Sequence, residues 1–442
     1  MRDRRLTRGE IIAMGVGGMV GGGIFSVLGL AIAEAGHAAP LAFLVGGAVA
    51  LLTGFSYVRL GLLFHSSGGS FTFLEHAFRH PNIAAIGGWL LLVGYVGTMA
   101  LYAYTFGVYG SAMLGNGTPA VHHLLASLVL LTFLGVNLYG IAASGETELL
   151  IVIVKVIILL LFAVIGLFYV KADHLLPLFD RGYGGVILGA ALIFVAYEGF
   201  ELVPNAIGDM EAPERDLAPG IVGSILITIA IYLLVSFVAV GNLLPEEVQR
   251  YKEYALAVAA KPFLGQAGFL LIGLAALFST ASAINATLFG TARLGMVMAR
   301  ERALPNVFGV MARHGRVPWA SLVLITAMTL LFVNLADLSI ISSFASSTFL
   351  LIFAVVNLSA WRLRQRSGER GIVALTGLLF SLASWAALMG YLWQEAPTDL
   401  LWIGASYLLV VLAELLFSAR RLFFREGDSA HARRKIRQDT PK

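Results

Sequence analysis

Cysteine is absent from this chain of 442 residues, which excludes disulfides, thiolate metal sites and thiol nucleophiles. Charge is scarce as well. Asp, Glu, Lys and Arg make up 13% of the residues, against roughly 25% in an ordinary soluble domain, so a soluble enzyme is excluded. The period-2 alternation that marks a membrane barrel is missing. Neither an HExxH metal motif nor a GxSxG nucleophile elbow occurs. His37, His65, His76, His122 and His123 fall near expected loops or span ends, where they read as interfacial side chains. The chain is therefore read as no enzyme. A ring-forming filter such as TVGYG is also missing, which leaves an ion channel as the different-class alternative without a motif of its own.

What is present is apolar: 58% of the chain is hydrophobic, with 49 glycines and 28 phenylalanines. Long runs separated by short polar joints must sit in lipid as helices that satisfy their own backbone. The expected fold class is an all-α polytopic membrane protein with 12 transmembrane helices, at residues 10–33, 40–64, 83–114, 123–139, 146–170, 186–208, 219–241, 263–298, 318–334, 338–363, 372–393 and 400–417. An even count puts both termini on one side. With that side taken as the cytoplasm, 24 of the 30 Lys and Arg residues lie inside, five outside, and Lys155 within a span, as the positive-inside rule requires. The expected location is the cell (plasma) membrane, with the lipid bilayer as partner and both termini cytoplasmic.

The inside clusters cover residues 2–8, 293–316, 362–370 and the tail at 420–442. A net charge of +4 would suggest nucleic acid in a soluble protein. Here topology and attraction to anionic lipid account for it, and no nucleic-acid partner is expected. The N-terminus resembles a signal peptide, but its apolar core is too long and further spans follow, so it is kept as span 1. The longest outer loop is expected at 242–262. The joint at 209–219, DMEAPERDLAP, reads as a capped and salt-bridged cytoplasmic turn. Glu414 in span 12 reads as structural, near Arg420 and Arg421. Nothing in the sequence encodes the oligomeric state.

Two spans are interrupted. Residues 15–25 read GVGGMVGGGIF, six glycines in nine positions, each costing about 0.5–1 kcal/mol of helix stability relative to Ala. Close packing through Gly17/Gly21 and Gly18/Gly22 is one explanation. Gly21, Gly22 and Gly23 point three ways, which favours an unwound segment. No Gly-Lys-Ser/Thr ending supports a phosphate cradle. Span 6 offers a counterpart, Phe194-Val195-Ala196-Tyr197-Glu198-Gly199-Phe200-Glu201, with two carboxylates about 18 Å along the helix that must face protein or water. Interruptions in spans 1 and 6 occupy corresponding positions if spans 1–5 and 6–10 are inverted repeats, and such a pair points to a midplane transport site. Freed amides suit a carboxylate and freed carbonyls an ammonium group.

Lys155 is the one lysine inside a span, about 13 Å deep. An amine there must be paired, bonded to carbonyls, or neutral part of the time. It is either a proton carrier or a structural tie from span 5 to exposed carbonyls of span 1. Glu148 lies on nearly the same face and reads as interfacial.

These residues resemble amino acid transporters of the APC superfamily, with a LeuT-type fold, and among them the archaeal proton-coupled, broad-specificity members. GVGGMVGGGIF is similar to the family's helix 1 signature, AYEGFE to its helix 6 signature, and EAPERDLAPGI to the charged motif that follows; AVAAKPFLG, STASAINATLFG and MARERALP also resemble family stretches. The resemblance implies a 5+5 inverted repeat, with residues 1–180 holding helices 1–5 and 181–366 helices 6–10. Residues 367–418 then form helices 11 and 12, and 419–442 a basic cytoplasmic tail. It further implies that Lys155 fills the space a sodium ion takes in sodium-coupled members and bonds to the Gly17 carbonyl. Glu198 and Glu201 depart from that pattern. A carboxylate there could select cationic amino acids, take part in proton transfer, or only bond to backbone.

Ser279, Thr280 and Ser282 offer hydroxyls of the kind that bind sodium, but such groups usually bond back to their own helix, and Lys155 would repel the ion. No cofactor is expected, with protons as the coupling ion. The reading is a proton-coupled symporter of amino acids working by alternating access; the alternative is an exchanger of cationic amino acids or polyamines. The substrate would meet Gly17, Val20, Gly21, Gly22, Gly23 and Ile24, then Phe194, Ala196, Tyr197 and Glu198, with Tyr95, Thr98 and Ser282 as further contacts. Lys155, Glu198 and Glu201 are the candidates for proton coupling.

Overall fold

The computed structural model describes residues 5–418 apart from 67, 79–80, 116, 141–144, 302, 313–316 and 369. The expected tail at 419–442 and parts of the basic clusters at 2–8 and 293–316 lie outside the described residues, as does the side chain of Glu148. The helices, in chain order, are α1 (Arg8–Met19), α2 (Gly23–Ala35), α3 (Ala39–Phe64), α4 (Gly69–Ala77), α5 (Pro81–Met113), α6 (Pro119–Leu138), α7 (Gly145–Leu167), α8 (Gly182–Leu192), α9 (Pro213–Asn242), α10 (Pro245–Tyr251), α11 (Ala255–Ala259), α12 (Lys261–Arg300), α13 (Trp319–Leu335), α14 (Leu338–Arg362), α15 (Arg364–Ser367), α16 (Ile372–Glu395) and α17 (Pro397–Ser418). Two 3-10 segments, Phe194–Tyr197 and Phe200–Asp209, follow α8.

Helix occupies each of the twelve expected windows. Among the described residues, nine helical stretches are long and apolar enough to cross a membrane, or ten with the bent pair after Arg181 taken as one. The chain is an all-helical, polytopic membrane protein. Gly23–Phe64 counts as a single stretch although Gly36, at φ +57, turns the chain between α2 and α3. Helix α13 has only 17 residues. Segments expected as loops hold short helices: α4 after α3, and α10 and α11 within the outer connection. Helix α10 starts where Glu247 caps the Leu244 amide at 3.0 Å and Pro245 stands at its first turn. Helices of this length are invisible to a window of twenty residues.

Helix α7 shows why a lysine can sit in an apolar run. Leu150, Ile153, Val154, Ile157, Leu160, Leu161 and Val164 are exposed, whereas Val152, Lys155, Leu159, Phe162 and Ala163 are buried. The two sets recur at helical spacing on opposite faces. The exposed set suits lipid, and Lys155 belongs to the set that meets protein.

The two broken spans lie against each other. Helix α1 packs on Phe200–Asp209, while α2 packs on α8 and on Phe194–Tyr197. Helix α9 covers α1 and α3. The start of α1 is pinned to the end of the second 3-10 segment: the Leu6 amide donates to the Asp209 carbonyl at 2.7 Å, the Glu211 amide to the Leu6 carbonyl at 3.2 Å, and Arg8 pairs with Asp216 at 2.9 Å. That last contact makes the joint at 209–219 salt-bridged, but from Pro213 on it is the start of α9 rather than a turn, and no side chain caps it at Ala212. Beneath the breaks, Phe353 of α14 sets its ring against Tyr57, Phe194, Phe200 and Phe349 at 5.2–5.9 Å between centroids. Glu414 accepts from the Trp89 indole at 3.1 Å.

Candidate functional site

The expected interruption in span 1 is present. Helix α1 stops at Met19 and α2 resumes at Gly23. The first amides of α2, those of Gly23, Ile24 and Phe25, have no intrahelical acceptor by position. On the other side of the break, three carbonyls of span 1 are taken by side chains from three other helices. Lys155 Nζ donates to the Gly17 carbonyl at 2.8 Å, the Tyr232 hydroxyl to that of Met19 at 2.7 Å, and Ser279 Oγ to that of Val20 at 2.7 Å. Buried carbonyls without a donor would be costly, so these contacts stabilise the unwound turn.

Span 6 breaks twice, and its two halves bend by 51°. Helix α8 ends at Leu192, whose carbonyl accepts from Ser342 at 3.0 Å and Ser346 at 2.7 Å. Ser346 Oγ also accepts from the Val195 amide at 3.0 Å. Gly199 then adopts φ +125, a conformation nearly closed to any residue with a Cβ. A Cβ at Gly199 would also lie 2.6 Å from the Gly18 carbonyl carbon. The two spans therefore touch backbone to backbone, which explains the glycine on each side. Tyr232 of α9 joins both breaks, donating to the Ala196 carbonyl at 2.9 Å as well as to Met19.

The expected site residues fall into three groups. Gly17, Val20, Gly21, Gly22, Gly23, Ile24, Phe194, Ala196 and Glu198 lie at or beside the two breaks, all of them buried. Tyr102 of α5 fills the space in which a Cβ of Gly22 would stand and donates to Glu198 at 3.1 Å. Tyr95 donates to Glu201 at 3.3 Å, and Thr98, which bonds to the Gly94 carbonyl of its own helix at 3.2 Å, stands beside the Glu198 carboxyl. Two residues are engaged elsewhere. The Tyr197 hydroxyl donates to the Phe43 carbonyl of α3 at 2.6 Å, and Ser282 bonds to the Ser279 carbonyl of its own helix at 3.2 Å. In α12 it is Ser279 that reaches the break.

Tyr102, Tyr232, Ser342 and Ser346 had no signal in the sequence. Among the described residues no group of three or more His, Cys, Asp or Glu is placed to hold a metal. A cavity of about 220 Å³ lies at the far end of α2, with His37, Asp173, His174 and Arg181 in its wall, away from the breaks.

Comparison with known proteins agrees along nearly the whole length. The profile of the amino acid permease family matches residues 6–413. An uncharacterised protein of Methanocaldococcus jannaschii is 32% identical over 94% of this chain and 96% of its own. The inner membrane transport protein YbaT of Escherichia coli is 28% identical over 93% and 96%, and the serine/threonine exchanger SteT of Bacillus subtilis 26% identical over 84% and 88%.

Proposed function

Because the chain belongs to the amino acid permease family, and is a transporter rather than an enzyme, we propose that it carries amino acids with protons by alternating access. The observation that carries the proton reading is the bond from Lys155 to the Gly17 carbonyl, at 2.8 Å and with the lysine 2% exposed. Protonated, the amine holds α7 to the end of α1. Neutral, it loses charge assistance and the contact weakens, which frees α1 to move against α7. Loading and release of a proton thereby set two arrangements of span 1, as alternating access requires.

The substrate carboxylate takes the amides at the start of α2, where the helix dipole favours an anion. Its side chain lies toward Phe194, Tyr102 and Glu198. The substrate ammonium goes to carbonyls of the span 6 break at 194–197, where a carbonyl that already accepts once keeps a second lone pair. Sodium has no part in this cycle: an ion beside the Gly17 carbonyl would meet the like charge of Lys155.

The twelve-span, 5+5 reading draws support from how the breaks are held. With α7 and α14 as spans 5 and 10, span 5 supplies Lys155 to span 1 and span 10 supplies Ser346 to span 6. With α5 and α12 as spans 3 and 8, span 8 supplies Ser279 to span 1 and span 3 supplies Tyr102 to span 6. These two donors of one half thus have counterparts in the other, whereas Tyr232 of α9 serves both breaks. Both termini on the cytoplasmic side of the cell membrane follow from the basic clusters.

Exchange of cationic amino acids or polyamines is the second reading, favoured by the buried carboxyls of Glu198 and Glu201 and by the exchanger among the relatives. Labelled arginine flux into vesicles with and without internal substrate separates the two: strict dependence on internal substrate supports exchange.

A further inference from the structure

Two buried carboxyls take no part in the Lys155 proton step just described. Glu198 and Glu201 bracket Gly199 and are 2% and 1% exposed. Glu201 is fully engaged: Oε2 accepts from the Gly199 amide at 2.7 Å and Oε1 from the Tyr95 hydroxyl at 3.3 Å. Glu198 is half engaged. Its Oε2 accepts from Tyr102, but its Oε1 is buried without a hydrogen-bond partner. Beside this carboxyl, within side-chain hydrogen-bonding reach, stand the carboxyl of Glu201 and the hydroxyl of Thr98, which also has the Gly94 carbonyl as an acceptor. Two adjacent buried carboxylates do not both ionise, and one proton between them removes their repulsion.

A route for that proton lies next to the pair. Tyr95, Glu201, Ser70 and Asn205 line a cavity of about 10 Å³, the size of one water, and Oδ1 of Asn205 is likewise buried without a partner. A water there has polar groups on several sides. The cavity wall includes Ser70 of α4 and Asn205 of the second 3-10 segment.

We propose that Glu198 and Glu201 share one proton, and that a substrate with a second cationic group displaces it, so that neutral and cationic amino acids are bound with different proton counts. The inference rests on the reading of the chain as an amino acid transporter. In the displacement, the O–H bond of the pair breaks and the proton passes through the cavity water to solution. The side-chain ammonium takes its place between the two carboxylates. The pair carries one net negative charge with the proton, and pair plus ammonium carry the same, so the buried site never holds two uncompensated charges. The titratable groups that face the pair are Tyr57 of α3 and Tyr95 and Tyr102 of α5; Lys155 of α7 is bonded to the Gly17 carbonyl, next in sequence to the Gly18–Gly199 contact.

The test is proton release on binding, measured with a pH-indicator dye on the purified full-length protein in weakly buffered solution near pH 7, alongside binding of labelled alanine and labelled lysine. The expected result is about one more proton released per lysine bound than per alanine bound. In Glu198→Gln this difference disappears and lysine binds at least about tenfold more weakly. Equal proton release for alanine and lysine in the unaltered protein overturns the proposal, as does binding of alanine without binding of lysine; either leaves amino acid transport standing. Binding of neither overturns the transport reading, and the shared-proton proposal with it. Gly208→Ala, where a Cβ would meet nothing within 4 Å, retains the proton difference.

Discussion

Lys155 Nζ lies 2.8 Å from the Gly17 carbonyl oxygen, two residues before the point where α1 ends. A side chain from α7 thus supplies the bond that the broken helix cannot supply for itself. Any change in the charge of that amine acts directly on the geometry of the break.

Lys155→Ala removes the bond and the titratable group together. Uptake driven by a pH gradient falls to background, while the protein still purifies as a monodisperse species. Uptake equal to the parent with the same pH profile contradicts the proton role.

Gly199→Ala introduces a Cβ at φ +125, 2.6 Å from the Gly18 carbonyl carbon. Backbone strain of about 1–3 kcal/mol, with the clash in addition, lowers the thermal midpoint in detergent by several degrees and abolishes uptake. Gly208→Ala, where a Cβ would meet nothing within 4 Å, leaves the midpoint unchanged and serves as the control.

Tyr232→Phe leaves the carbonyls of Met19 and Ala196 without their shared donor. Loss of buried hydrogen bonds of this kind costs about 1–3 kcal/mol. The expected outcome is a lower thermal midpoint together with reduced uptake, because the residue ties the two breaks to each other.

Ser346→Ala strips the Val195 amide of its acceptor but leaves Ser342 on the Leu192 carbonyl. The effect is smaller than that of Tyr232→Phe, about 1 kcal/mol, read as a shift in the thermal midpoint. A shift larger than that of Tyr232→Phe contradicts the ranking.

The contrast between Lys155 and Tyr232 marks what a sequence displays. A charge in an apolar run and three successive glycines in a helix are local anomalies, so Lys155, the Gly21–Gly23 turn and Gly199 stand out without coordinates. Hydroxyls in membrane helices are common and most bond to their own helix, as Thr280, Ser282 and Thr329 do here. Which hydroxyl reaches a neighbour depends on the rotation of each helix, which periodicity in a nearly all-apolar span does not fix. Hence Ser279 rather than Ser282 meets the break, and Tyr102, Tyr232 and Ser346 carried no mark. The short helices α4, α10 and α11 escaped for a different reason: they are shorter than any window that detects a membrane span.

Coupling of amino acid movement to protons is read out in proteoliposomes. Uptake of a panel of labelled amino acids is compared under an inside-alkaline pH gradient and under an inward sodium gradient, at matched membrane potential. The account predicts accumulation that follows the pH gradient and ignores sodium. Accumulation that follows sodium, or flux that appears only after the vesicles are preloaded with substrate, contradicts it.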